Sequence, residues 1–222
     1  MTVYLFAQTV PVIATGVNTF LLVAGGAVYS LRRRLKWAGA ATTIAAAGAV
    51  ITQIGYAIYM TVAQYYAWQV SPLTKDLLTQ PLDAQIGETS AVAWLVRLLH
   101  LRAGYFVFYV YGRFWIDVIL GIGCAIVFWG ILVVLKKYRS RFFDETELQV
   151  GLLAAVVVGW PLLVVFVPLV FASVVVVSLV RLIFLKEKYT TLGWPLLIAA
   201  LATLCVAQAF PILLGRFAFL TV

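Results

Sequence analysis

Five apolar runs occupy residues 3–31, 37–68, 105–135, 150–185 and 192–222, joined by short polar or basic links except for the longer connection 69–104. Each is longer than the roughly 20 residues an α-helix needs to cross a bilayer. In hydrocarbon, a lone segment satisfies its backbone groups only as a helix. The runs therefore predict an all-α fold, a polytopic integral membrane helical bundle in one transmembrane domain (residues 1–222). It has five transmembrane helices, or six if the run 150–185 is two. Composition agrees: 64% of the 222 residues are hydrophobic and 11% charged, with mean hydropathy +1.06. A soluble domain is nearer half apolar and a quarter charged.

The net charge of +8 is distributed in a telling way. It gathers in "RRRLK" (32–36), "KKYRSR" (136–141) and "KEK" (186–188), each at the end of an apolar run. Such clusters anchor helix ends against an anionic leaflet, so the expected partner is the lipid bilayer and not nucleic acid. The 32–36 and 136–141 loops are expected on the cytoplasmic side, which puts the N-terminus outside. The 69–90 link then lies outside as well, where Asp76, Asp83 and Glu88 outnumber Lys75. With five spans, Arg181, Lys186 and Lys188 fall on the wrong side. Splitting the run 150–185 into two spans removes that conflict.

The first run is too long for the apolar core of a signal peptide and lacks a basic stretch before it, so it reads as a retained span. Residues 69–104 form an external loop and an interfacial helix. Pro72 and Pro81 break the loop, and "AVAWLVRLLHLR" sets Arg97, His100 and Arg102 among leucines and a tryptophan. That mixture suits an amphipathic helix lying in the membrane interface. In the fourth run, Gly159, Trp160, Pro161 and Pro168 predict one long kinked helix. Ala41, Ala45 and Ala49 make a small-residue stripe, and Gly121 and Ala125 a second. Stripes of this kind let helices approach closely, within one chain or between copies.

The stretch "YGRFWIDVILGIG" (111–123) places Arg113 and Asp117 four apart inside an apolar run, on one helix face. Asp117 lies about 18 Å along the helix from Tyr105, near the bilayer midplane. A lone charge there costs at least about 2.5–3.5 kcal/mol, which a mutual ion pair would offset. Two readings stand: an ion or proton step at Asp117, or a static clamp between helices. Asn18 in the first span and Gln53 and Tyr56 in the second complete the candidate intramembrane polar site, with Gln8, Thr15, Thr52 and Gln208 as further polar positions. They either line a shared polar interior or make interhelical hydrogen bonds worth about 0.6 kcal/mol each.

No catalytic, cofactor-binding or metal-binding set emerges. His100 is the single histidine, so bis-histidine haem ligation is excluded, and Cys124 and Cys205 lie in separate apolar runs without metal spacing. The segment "FYVYGRFWID" resembles the third helix of microbial rhodopsins over about a dozen residues. The threonine–proline step is missing there, and the last run has no lysine for a retinal Schiff base. No cofactor is therefore expected. The chain reads as a cofactor-free structural or accessory subunit of a multi-component membrane complex, associated with other membrane subunits or with copies of itself. The alternative is a small membrane transporter or channel using the Arg113–Asp117 pair.

Overall fold

The computed structural model describes residues 2–32, 34–80, 104–138, 145–185 and 191–209. Among these residues every regular element is a helix. Besides a 3-10 turn at Asp76–Leu78 they are α1 (Thr2–Ser30), α2 (Ala38–Val70), α3 (Gly104–Tyr138), α4 (Glu145–Val158), α5 (Leu163–Val180) and α6 (Gly193–Ala209). A π-helical turn, Arg181–Leu185, continues α5. Four stretches, Thr9–Ser30, Ala38–Val70, Gly104–Tyr138 and Leu163–Phe184, are long and apolar enough to cross a membrane. With α4 and α6 they form the helical bundle of a multi-pass membrane protein. Arg97, His100 and Arg102 of the expected interfacial helix, and the last run beyond Ala209, lie outside the described residues.

Several threonine hydroxyls inside these helices are satisfied locally. Thr15 donates to the Pro11 carbonyl, Thr19 to Thr15, Thr52 to Gly48 and Thr61 to Ala57, over 2.7–2.9 Å. This back-bonding to the preceding turn lets threonine sit in an apolar helix without an outside partner. Several of the polar positions in the sequence are thereby accounted for by the helix that carries them.

The expectation of one kinked helix over 150–185 is corrected by the structure. Gly159 takes φ +65°, the left-handed conformation that ends helices, and Pro161 follows two residues later. The chain then turns back. On α3, Gly121 meets the backbone of Trp160, while Phe128 packs edge-on to Phe166 with ring centroids 5.5 Å apart. Leu132 meets Gly151. Walking down α3 therefore goes backwards along α4 and forwards along α5, so α4 and α5 are antiparallel. A helix of 14 residues rises about 21 Å, short of the roughly 30 Å of a bilayer's hydrocarbon, and the chain reverses at its end. Arg32, Lys136 and Arg181 consequently lie at one end of the bundle.

Helix α4 is the centre of the packing. Val150, Leu153, Ala154, Ala155 and Val156 are at most 2% exposed, enclosed by α1, α2, α3 and α6. Small residues make this enclosure feasible. Gly25 receives Leu153, Gly151 receives Leu132, and Ala46, Ala49 and Ala125 are buried against the same core. Ala45 and Ala49 of the first stripe and Gly121 and Ala125 of the second thus pack within the chain. At the opposite end, Trp68 of α2 stacks on Tyr105 and meets Phe106 and Tyr109 of α3, an aromatic cluster that fastens these two helices.

Candidate intramembrane polar site

The helix break organises the first group of polar side chains. Where α4 ends, its last carbonyls lose their intrahelical donors. Gln53 of α2 fills one of these places: its Nε2 donates to the Val156 carbonyl over 2.6 Å. A Cβ added at Gly159 would lie against the same amide, 3.9 Å from Gln53 Nε2. Gly121 of α3 allows the close approach, since a Cβ there would sit 3.2 Å from the Trp160 nitrogen.

One turn before Gly121 on α3 stands Asp117, and one turn after Gln53 on α2 stands Tyr56. Asp117 is half-buried, and its Oδ1 is buried with no hydrogen-bond partner. Tyr56 lies within the electrostatic field of both Arg113 and Asp117. The structure thus brings Gln53, Tyr56, Arg113 and Asp117 to one level of the bundle. Asn18 of α1 is half-buried with its Oδ1 unpartnered, and no described contact joins it to this group.

The expected ion pair is not closed. Arg113 is exposed and acts on Asp117 through space; among the described residues no salt bridge joins them. Two features of the chain explain this. The order is unfavourable, because side chains lean toward the helix N-terminus and a base preceding an acid points away from it. The backbone between them is also widened into a π turn, Tyr111–Trp115, with the Ile116 amide donating to the Tyr111 carbonyl. Such turns are rare, and many occur at functional sites. Trp115 secures this turn to α2, its Nε1 donating to Thr61 Oγ1 over 3.1 Å.

A second group lies at the other end of α4, and the sequence reading missed it. Glu147 is 1% exposed, and the fully buried Tyr29 of α1 donates from Oη to Glu147 Oε1 over 3.0 Å. The Arg32 guanidinium lies 4.0 Å over the Tyr29 ring, with Trp194 of α6 edge-on at 6.2 Å. The tyrosine fits because residue 193 is glycine; any Cβ there would collide with the ring. Three helices therefore meet at one phenol. Glu147 precedes the run counted from Val150 and reads as loop, yet Asp144, Glu145 and Glu147 before an apolar stretch are a helix-start signal.

Cys124 and Cys205 are free thiols, and the described residues contain no group of three or more His, Cys, Asp or Glu placed to hold a metal ion. No protein family, curated protein or solved structure matches the chain.

Proposed function

We propose that the chain is a small membrane transporter or channel that moves a cation or a proton, with Asp117 as the carboxylate facing the ion. One observation carries this reading: a helix end is held inside the bundle, one turn from a carboxylate whose buried oxygen has no partner. Interrupted helices present carbonyl oxygens at the membrane interior, where they coordinate cations with few formal charges. The partial negative charge at the C-terminal end of α4 adds to that of Asp117. Gln53 and Tyr56 supply neutral polar surroundings, and Arg113 acts on Asp117 through space. The proposed orientation has the 32–36 and 136–141 loops in the cytoplasm, the N-terminus outside, and lipid around the bundle.

The test is flux through liposomes containing the purified chain, with sodium, potassium and protons each driven by an imposed potential. Flux of one of them that Asp117→Asn abolishes supports the proposal. If none crosses faster than in empty liposomes, the reading fails. Stoichiometric foreign subunits after gentle detergent extraction would favour the rival reading, a cofactor-free accessory subunit of a larger membrane complex.

A further inference from the structure

The helix break carries an inference that rests on the transport reading and narrows its substrate to one chemical class. Helix α4 ends on Val157 and Val158, both buried. Residue 161, which would close the next turn onto Val157, is a proline and has no N–H to give. The neighbouring carbonyls are taken: Ala155 accepts from the Gly159 amide, Val156 from Gln53, and Gly159 from the Leu163 amide. Among the described residues no hydrogen bond reaches the carbonyl of Val157 or that of Val158. Buried peptide oxygens are rarely left in this state. Helix carbonyls point toward the C-terminal end, so this pair faces the space beyond α4. Gly121 meets the backbone at Gly159 and Trp160, and Leu132 meets Gly151, so α3 runs antiparallel to α4. Asp117, one turn before Gly121, therefore stands about 6 Å beyond the end of α4 along its axis. Its buried Oδ1 has no hydrogen-bond partner either.

Three oxygens that only accept thus gather at one level with no donor among them. A proton on Asp117 serves at most one carbonyl and leaves the other bare, whereas a metal cation is shared by all three. Formal charge then decides between ions. Asp117 supplies one negative charge, and the field of Arg113 opposes it. The described residues hold no group of three or more His, Cys, Asp or Glu that would bind a metal ion. Calcium sites draw on several carboxylates, and magnesium gives up its water reluctantly. Neutral carbonyls, by contrast, replace the water shell of an alkali ion, and the ends of broken helices coordinate sodium in this way. We propose that Asp117 Oδ1 and the Val157 and Val158 carbonyls form a binding site for a partly dehydrated sodium or potassium ion.

Selective isotope labelling and magnetic resonance read the carbonyls directly. With carbon-13 in the valine carbonyls and nitrogen-15 in glycine, only the peptide bonds Val150–Gly151 and Val158–Gly159 carry both labels. Val150 is buried inside α4 and serves as the internal reference. The full chain is measured in liposomes while sodium or potassium chloride replaces choline chloride at constant ionic strength. The expected result is a saturable shift of the Val158 carbonyl, an unmoved Val150, and loss of the shift in Asp117→Asn. No shift with either salt overturns the proposal, as does one that Asp117→Asn leaves intact or that Val150 shares. Saturation by calcium chloride at a lower concentration than by either alkali salt overturns it too. Proton flux abolished by Asp117→Asn, without any shift, leaves the transport reading standing and removes the alkali-ion site. A shift without flux does the reverse. If Asp117→Asn does not fold, Asp117→Glu keeps the charge and displaces it by one methylene. It should raise the half-saturating concentration several-fold, and an unchanged value overturns the proposal.

Discussion

Gln53 and Val156, 103 residues apart, are joined by a 2.6 Å hydrogen bond from a side-chain amide to a main-chain carbonyl. The bond ties the middle of α2 to the end of α4, three residues before the reversal at Gly159. Val156 is 2% exposed, so water offers its carbonyl no substitute. Gln53→Leu, close in volume, is therefore expected to destabilise the chain by about 1–3 kcal/mol, the penalty for stranding a buried acceptor. Thermal melts in one detergent measure it. An unchanged melting point would mean that the carbonyl has found another donor.

Two glycine substitutions in helical segments should have opposite signs. Gly16 has open space around it, and Gly16→Ala should stabilise by up to about 1 kcal/mol through helix propensity. Gly193→Ala should be strongly destabilising, because its methyl would occupy the place of the Tyr29 ring. The same melts compare them. Equal effects would mean that Tyr29 is not held in the slot between α1 and α6.

Arg113 and Asp117 offer a test by double-mutant cycle. Residues in direct contact show coupling of about 0.5–3 kcal/mol, whereas separated ones add nearly perfectly. Since no salt bridge joins the two, Arg113→Gln and Asp117→Asn should combine with a coupling below about 1 kcal/mol. A larger coupling in chemical or thermal unfolding would restore the closed ion pair that their spacing suggested.

The reversal at Gly159 makes a labelling prediction. In a background lacking Cys124 and Cys205, Arg34→Cys and Lys188→Cys should react with an impermeant thiol reagent from the same side. Leu73→Cys, 88% exposed beyond the end of α2, should react from the other. Opposite labelling of positions 34 and 188 would return the fourth run to a single crossing.

The sequence made the helices and their solvent legible, because apolar length alone decides both. It also singled out Gln53, Tyr56, Arg113 and Asp117, since polar groups within apolar runs stand out wherever they fall. What escaped it depended on local backbone geometry. Nothing polar marks the turn at "GWPL"; the signal is one glycine in a left-handed conformation, which a sequence does not display. The π turn between Arg113 and Asp117 leaves their spacing in the sequence intact while altering how they face each other. Glu147 stands three residues ahead of the apolar run that begins at Val150, so hydropathy alone leaves it in a loop. Thr15 and Thr52 drew notice as polar residues, yet each hydroxyl is absorbed by its own helix.

The hairpin of α4 and α5 also bears on how the chain enters its membrane. Between Glu147 and Arg181 the sequence holds no charged residue, and the apex is Gly159, Trp160, Pro161 and Leu162. Both legs start and finish at one end of the bundle, so the pair can be inserted from that side as a unit. Neither basic cluster flanking it then has to be carried through the hydrocarbon. Inserted alone, α4 would leave the Val156 carbonyl and the Glu147 carboxyl without the partners that α2 and α1 provide. The natural order of synthesis supplies those helices first, so the hairpin arrives at a bundle already able to receive its polar groups.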